Sequence, residues 1–369
     1  MSTSAAIVAS DERLKRASLL VRAMRRPELG AVAGLILVIA FFGVYADRSM
    51  FTLGGVMTVM APAAELGILA VAAALLMIGG EFDLSIGSMV AFAGLILGGC
   101  LVVLHLPFVL ALLVTLACAA ALGAINGTIV IRTKLPSFIV TLAFLFIYRG
   151  LSLVGLKWAT GGSTQLRGIA DAAGDGVLPG LFSGLAFHPL FTWMAAHGMI
   201  QKFPSGEPTV QGVPVSILWF IAFALVATWV LLATRAGNWI FAAGGDANAA
   251  RNSGVPVAAV KTALFMLTAA SAALVATLQV MNTGSTDALR GDQKEFEAVI
   301  AAVIGGCLLT GGYGSAIGAF LGAIIFGMVS IGLTYTHFDS DWFKVFLGGM
   351  LLLAVLFNSF IRRKVTGER

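Results

Sequence analysis

Two carboxylates and a hydroxyl lie close together between two apolar runs of the sequence. Glu81, Asp83 and Ser85 stand among three glycines, with Val56–Leu76 before them and Met89–Leu104 after them. About 20 apolar residues span the hydrocarbon core of a bilayer, so each run is at or near spanning length. Charged groups at membrane depth are costly and usually face a cavity or mark a pathway. The pattern predicts a break between two helices that lines a polar space; the alternative is a short loop in water that caps an ordinary helix.

The composition lies far outside the range of soluble proteins. Of the 369 residues, 59% are hydrophobic and 11% are charged, and the mean hydropathy is +0.97. Soluble domains carry about 25% charged residues, so the chain is an integral membrane protein. Its formal net charge of +5 does not indicate nucleic-acid binding, because the positive residues lie at positions typical of membrane topology signals.

The residues that support enzymatic or metal chemistry are few. All three cysteines, Cys100, Cys118 and Cys307, fall in apolar runs, and they predict neither a disulfide framework nor a metal site. The sequence has no His-Glu-x-x-His motif, which argues against an intramembrane metalloprotease. It also has no Gly-x-x-x-x-Gly-Lys-Ser/Thr loop, so the chain is not expected to bind ATP in that manner. We therefore predict no cofactor or metal in this chain, and no enzymatic activity of its own.

Ten apolar runs predict an all-α polytopic membrane protein of about ten spans, with broken or re-entrant segments. The runs lie at about 30–46, 56–78, 86–104, 107–131, 136–156, 215–233, 259–281, 296–310, 316–336 and 343–361. The segment Met1–Arg26 ends in basic residues, and Arg362-Arg363-Lys364 follows the last run. Since basic flanks stay in the cytoplasm and the number of spans is even, both termini are expected to be cytoplasmic.

The domain organisation follows from these runs. We expect a basic N-terminal segment at 1–28, a transmembrane domain at 29–361 and a cytoplasmic tail at 362–369. Within the transmembrane domain lies a long outer loop at 157–214, and its apolar stretch at 177–200 is interrupted by prolines and histidines. We interpret that stretch as a membrane-surface or re-entrant piece of the loop. The run at 296–310 is the weakest span, because it is short and carries Glu297.

The two halves of the chain show a weak internal repeat. Gly79-Gly80 is followed by Gly87-Ser88, and Gly305-Gly306 is followed by Gly314-Ser315, each before an apolar helix that contains glycine. Many transporters build a pathway between two related halves. Small residues also recur in any tightly packed membrane bundle, so the repeat alone is weak evidence.

The polar segment at 234–258 lies on the predicted cytoplasmic side. Asp246 or Asn248 is suited to cap a short alanine-rich helix, which Ser253-Gly254 and Pro256 would end. A short helix held between two spans is suited to contact a cytoplasmic partner. The alternative is a plain connector.

Five blocks of sequence resemble one family in order and spacing. They are Gly80–Ser88, Asn126-Gly127, Leu135–Leu142 with Arg149-Gly150, Gly244–Gly254, and Glu295–Gly306 running into Gly311–Ser315. Together they resemble the permeases of the ribose-type (simple-sugar) family of bacterial ABC importers, over about residues 55–155 and 235–335. Gly244–Gly254 is similar to the family's cytoplasmic coupling segment.

The resemblance implies a permease subunit of an importer for a monosaccharide or related polyol in the bacterial inner membrane. The implied partners are a cytoplasmic ATP-binding subunit, a periplasmic sugar-binding protein and a second permease copy, in a homodimer or a heterodimer. ATP would be bound and hydrolysed by the partner subunit. Phe82, Cys307 and Ser330-Ile331 depart from the family pattern, and the outer loop is longer than expected; these departures bear on the substrate and not on the family.

Two sets of residues are candidates for function. For the substrate pathway we select amides, hydroxyls and carboxylates, which suit the hydrogen-bonding needs of a sugar: Glu81, Asp83, Ser85, Asn126, Gln279 and Asn282. For contact with the ATPase we select Gly244, Gly245, Asp246, Ala250, Arg251, Ser253 and Gly254. For Ser85 and Asn126 an interhelical hydrogen bond is the competing role.

Two alternative functions remain open at this point. An ion-coupled secondary transporter of a small polar solute would use Glu81 or Asp83 as its coupling carboxylate. A branched-chain amino acid permease would belong to another branch of the same superfamily. The blocks at Asp83–Ser88 and Gly244–Arg251 favour the sugar branch.

Overall fold

The computed structural model describes residues 28–339 and 341–366, with side chains to residue 356. The predicted N-terminal segment at 1–28 therefore lies almost wholly outside the described residues, as do the side chains of the predicted tail at 362–369. The described helices are α1 (Glu28–Tyr45), α2 (Leu53–Ile78), α3 (Ile86–Gly98), α4 (Phe108–Thr133), α5 (Ser137–Thr160), α6 (Ile169–Ala173), α7 (Val177–Gly180), α8 (His188–Ala196), α9 (Val215–Ala233), α10 (Arg235–Gly245), α11 (Ala247–Asn252), α12 (Val257–Thr283), α13 (Lys294–Ile304), α14 (Ala316–Gly332) and α15 (Trp342–Thr366).

The predicted all-α polytopic membrane fold is confirmed. Within the described residues, eight helices are long and apolar enough to cross a membrane. They are α1, α2, α3 with its last turn Gly99–Val103, α4, α5, α9, α12, and α14 with its last turn Leu333–Tyr335. Helices dominate because a bilayer offers no water to the backbone, so each span must satisfy its own N–H and C=O groups.

Four short strands join the loops on one side of the bundle. Strand β1 (Gln165–Arg167) pairs antiparallel with β4 (Ser285–Asp287). Strand β2 (Leu185–Ala186) pairs antiparallel with β3 (Val213–Pro214). The first pair connects the end of α5 to the end of α12, so the loop after α5 is tied to the body of the protein.

The apolar stretch at 177–200 is too broken to cross a membrane. It contains α7, of four residues, and α8, of nine residues. This agrees with our interpretation of the stretch as a piece of one long loop. The helix before this loop extends to Thr160, so the loop itself begins four residues after the predicted boundary at 157. Its position outside the membrane stays a prediction.

The predicted span at 296–310 is wrong in length. Helix α13 has 11 residues, which at 1.5 Å per residue amounts to roughly 17 Å, about half of the hydrocarbon core. It ends at Gly305-Gly306, where Gly306 has a φ of +90° that glycine tolerates best. Without a full span at 296–310, the predicted even number of spans no longer supports the placement of the termini. The cytoplasmic location of both termini therefore stays a prediction.

The predicted repeat corresponds to two helix breaks of similar design. Helix α2 ends before Gly79-Gly80 and α13 before Gly305-Gly306, and the second glycine of each pair has a positive φ. A new helix, α3 or α14, then begins after a serine. The two breaks meet, because Gly312 N donates a hydrogen bond to Ile78 O at 2.9 Å.

The core lies around α2 and α12, the two long helices with the largest buried share. Alanines and glycines supply much of their surface: Ala63, Ala64, Gly67, Ala70, Ala72, Ala269, Ala272, Ala273 and Ala276 are all buried. Small side chains allow helix backbones to approach closely, which is how membrane helices gain packing energy. Helices α9, α12, α13 and α14 pack around α2.

A glycine contact joins α10 to both helix breaks. A side chain at Gly244 would come within 1.8 Å of Ile78 O and 2.8 Å of Gly312 N. Gly80 and Gly311 also approach the Gly244 backbone closely. The end of α10 is therefore packed, backbone against backbone, on the point where the two breaks meet.

Replacing Gly244 by alanine should destabilise the protein. The added methyl group has no space, and overpacking of this kind costs about 1–3 kcal/mol. Gly245→Ala is the matched control, because a side chain there meets nothing within 4 Å. Thermal unfolding in detergent should show a lower midpoint for Gly244→Ala only. Equal midpoints for the two variants would contradict the close contact.

Candidate translocation and coupling sites

A buried carboxylate organises the first helix break. Asp83 is 5% exposed, and its Oδ1 accepts hydrogen bonds from Ser85 N at 2.9 Å and Ser85 Oγ at 2.6 Å. Its Oδ2 accepts from Thr268 Oγ1 of α12 at 2.6 Å. Both oxygens therefore have partners within the protein, which is the condition for holding a polar group away from water.

The network continues from Ser85 into α4 and α5. Asn126 Nδ2 donates to Ser85 Oγ at 3.0 Å, and Tyr148 OH donates to Asn126 Oδ1 at 3.2 Å. Asn126 and Tyr148 are each 1% exposed. Three of the predicted pathway residues, Asp83, Ser85 and Asn126, thus lie in a filled hydrogen-bond network. In this conformation they hold helices together, and a role in contact with substrate stays a prediction.

Helix α5 also satisfies the backbone of the break. Phe82 N donates to Ser137 Oγ and Leu84 N donates to Thr141 Oγ1, each at 3.0 Å. Ser137 and Thr141 lie one turn apart at the start of α5, so their hydroxyls reach alternate residues of the extended backbone. The block Leu135–Leu142, selected for its resemblance, therefore has a structural function at the break.

A fourth predicted pathway residue, Glu81, forms an ion pair. Lys261 Nζ lies 2.6 Å from Glu81 Oε1, and the two side chains are only 13% and 14% exposed. Lys261 is the fifth residue of α12 and follows the 234–258 segment directly. The ion pair thus connects the first helix break to the helix that emerges from that segment.

The 234–258 segment forms two short helices with defined caps. Thr234 Oγ1 accepts from Gly237 N at the start of α10. Asp246 Oδ1 accepts from Asn248 N at 2.8 Å and Ala249 N at 3.0 Å at the start of α11, as predicted for a capping residue. Hydrogen bonds from these two backbone N–H groups lower the pKa of the Asp246 carboxyl, with the larger effect from Ala249 and the smaller from Asn248.

The predicted coupling residues occupy different positions on this segment. Ala250 is buried and packs in a small cluster with Ala243 and Val257. Ser253 Oγ donates to Ala249 O, and Gly254 ends α11 with a φ of +82°. Arg251 is exposed and donates to Asn248 Oδ1 at 3.2 Å. Gly244 and the backbone of Gly245 lie at the contact with the helix breaks, and Asp246 follows them as the cap of α11.

The last two predicted pathway residues lie together at the other end of α12. Gln279 Nε2 donates to Glu65 Oε2 at 2.8 Å, and Asn282 Oδ1 accepts from Gly184 N of the long loop at 2.9 Å. Glu65 lies in the middle of α2 and was not among the predicted residues. A signal was present in the sequence, since Glu65 is the one carboxylate within the apolar run at 56–78.

A mid-helix arginine holds the turn before α13. Arg149 Nη1 donates to Ala288 O at 2.9 Å and to Arg290 O at 3.0 Å, and its Nη2 lies 3.5 Å from Asp292 Oδ1. Arg149 belongs to one of the sequence blocks, but the carbonyls it binds are about 140 residues away in the chain. No local pattern could have revealed this contact.

Comparison with known proteins identifies the family. The family described as branched-chain amino acid transport system / permease component matches residues 55–355. The chain belongs to this permease family. No solved structure matches the chain.

Two curated relatives match over most of the chain. The xylose transport system permease protein of Escherichia coli is 30% identical over 362 residues, covering 90% of this chain and 92% of that protein. The ribose import permease protein of Escherichia coli is 28% identical over 333 residues, covering 90% and 94%. The predicted resemblance to ribose-type permeases is confirmed. The permease is thus a transport component and a multi-pass membrane protein.

The Glu81–Lys261 ion pair should stabilise the permease against loss of either partner. Removing one member of a largely buried pair leaves an uncompensated charge and costs about 3 kcal/mol. Lys261→Met alone and Glu81→Gln alone should each lower the thermal midpoint. The double variant should recover most of the loss, because no unpaired charge then remains.

A double-mutant cycle in detergent measures this coupling. Lys134→Met is the control, since Lys134 is exposed and lies in another loop on the same predicted side. Additive losses in the double variant would show that the two residues do not interact.

Proposed function

We propose that this permease is the membrane subunit of an ATP-driven importer for a monosaccharide or related polyol. The observation that carries the proposal is the similarity to xylose and ribose permeases over 90% of the chain. The proposed partners are a cytoplasmic ATP-binding subunit, a periplasmic sugar-binding protein and a second permease copy. The proposed location is the bacterial inner membrane, with both termini in the cytoplasm. ATP would be bound and hydrolysed by the partner subunit.

The arrangement of the 234–258 segment supports a role in coupling. Its Gly244 contacts Ile78 and Gly312, which belong to the two helix breaks, and Lys261 pairs with Glu81 just beyond it. A movement imposed on α10 and α11 would therefore reach both breaks through direct contacts. Exposed residues of the segment, such as Arg251, remain available to a partner surface.

An ion-coupled transporter has less support from the geometry. Glu81 is held by Lys261, and Asp83 is enclosed by hydroxyl donors. Neither carboxylate lies on an open surface in this conformation, although a coupling carboxylate needs access to water and to its ion at some point of the cycle.

Reconstitution in liposomes tests the proposed function. We expect uptake of a labelled pentose or polyol only when the permease, its candidate ATPase and its binding protein are all present with ATP. Labelled leucine serves as the comparison solute, because the family also bears the name of branched-chain amino acid transport. Uptake by the permease alone that follows a proton gradient would overturn the proposal. Leucine uptake without sugar uptake would place the chain in the amino acid branch.

Charge reversal on α11 tests the proposed coupling segment. Arg251→Glu should reduce transport and weaken co-purification of the ATPase, because a basic side chain would be lost from the contact. Arg132→Glu is the control, since Arg132 is also exposed and lies in another loop on the same predicted side. If both variants, or neither, lose the ATPase, α11 is not the specific contact.

A further inference from the structure

A carboxylate lies at the midpoint of a long apolar helix. Glu65 is the thirteenth of the 26 residues of α2, and its side chain retains some exposure. Placing an acidic side chain against hydrocarbon at this depth is strongly unfavourable. The exposed edge of Glu65 is therefore expected to face water or another polar surface.

Further polar groups surround Glu65. Gln279 of α12 donates to its Oε2, and Lys294 and Arg290 lie within electrostatic range. Lys294 forms an ion pair with Glu297 one turn along α13, and its side chain is still 35% exposed. We call the group formed by Glu65, Gln279, Asn282, Arg290, Lys294 and Glu297 the polar cleft.

Contacts of the turn before α13 place the polar cleft at depth in the bundle. Gly291 packs directly against Gly87, the second residue of α3, which begins at the helix break. Arg149, which holds the carbonyls of this turn, is the thirteenth of the 24 residues of α5. The start of α13 therefore lies beside the first turn of α3 and is bound by a residue from the middle of α5.

The polar cleft is open on one side. Thr58 and Pro62 are exposed and precede Glu65 by seven and three residues, so all three lie on one face of α2. The exposed face of α9 differs, because at comparable positions along its helix it presents Leu225 and Val226, which suit lipid. At similar depth, α2 thus exposes a face that carries Thr58 and Glu65, whereas α9 exposes aliphatic side chains.

We infer that the polar cleft is a water-filled wall of the translocation pathway and that it takes an uncharged polyhydroxyl solute. This rests on the proposed transport function. Glu65 lies within electrostatic range of Arg290 and Lys294, and these two cations pair with Asp287 and Glu297, so no charge of the cleft is left isolated to bind an ion. The cleft carries both donors and acceptors, as the hydroxyl groups of a sugar require.

The polar cleft is built for passage and not for tight binding. Glu65 already accepts from Gln279, and Lys294 already pairs with Glu297. Arg290 Nη2 donates to Ser285 O at 2.9 Å and lies 3.5 Å from Asp287 Oδ2. A solute hydroxyl can replace one of these partners without leaving a buried charge alone, so the exchange is nearly balanced in energy.

Cysteine labelling tests whether the polar cleft contains water. In a permease whose three native cysteines are replaced by serine or alanine, Pro62→Cys and Glu65→Cys report on the cleft. Leu225→Cys and Val226→Cys are controls at similar depth. A membrane-impermeant maleimide is added to vesicles that admit it to both faces of the membrane. We expect about tenfold faster labelling at the two cleft positions, because maleimide reacts with the thiolate, which forms only where water reaches the sulfur.

Equal, slow labelling at all four positions would overturn the inference. This outcome does not depend on transport, so it is distinct from failure of the proposed function. If a single variant does not accumulate in the membrane, the other cleft position still decides the result.

Uptake measurements test the chemistry of the solute. In the assembled importer, Glu65→Leu and Lys294→Met should each slow sugar uptake several-fold, whereas Glu65→Gln should retain most of it, because an amide still bonds to hydroxyl groups. Thr228→Val on α9 is the control, since the Thr228 hydroxyl donates to Ala224 O of its own helix. Unchanged uptake in Glu65→Leu and Lys294→Met would overturn the assignment of the cleft to the sugar pathway.

Discussion

The structure depends on satisfying the backbone at a helix break inside a membrane bundle. Between Ile78 and Ile86 the chain is not helical, and unpaired N–H and C=O groups are costly where water is absent. Within the break, the Asp83 carboxylate accepts a hydrogen bond from a backbone N–H group. From α5, the hydroxyls of Ser137 and Thr141 accept hydrogen bonds from two more. Hydrogen bonds from Thr268 and Asn126 to side chains of the break connect it to α12 and α4. Three helices, α4, α5 and α12, are thus bonded to one short irregular segment.

The second break is supported through contact with the first. Gly312 bonds to Ile78, and Gly244 of α10 packs on both. Only glycine allows three backbones to meet this closely, because any side chain would occupy the position of a neighbouring carbonyl or amide. Proteins transmit movement through elements in direct contact, so this meeting point links the segment that would receive an ATPase to the segments that would open a pathway.

Local patterns predicted much of the fold and part of the site. The apolar runs located the eight long helices, and the cap at Asp246 follows from residue type and spacing. The prediction of a span at 296–310 was wrong. This run is apolar because it contains a half-length helix that is buried within the bundle. Glu81, Asp83, Ser85 and Asn126 were selected as polar residues at depth. Such residues can line a channel or join helices, and composition does not separate the two.

The sequence by itself determined that the chain is a membrane protein, that its helices are interrupted by glycine pairs, and which family it belongs to. These properties reside in hydrophobicity, local conformational freedom and motifs, each of which is readable along the chain. The tertiary structure alone decided which polar residues pair with one another. Glu81 meets Lys261, Glu65 meets Gln279 and Arg149 meets the carbonyls before α13 across 139 to 214 residues of sequence. Partners so distant are brought together by helix packing, which no local pattern encodes.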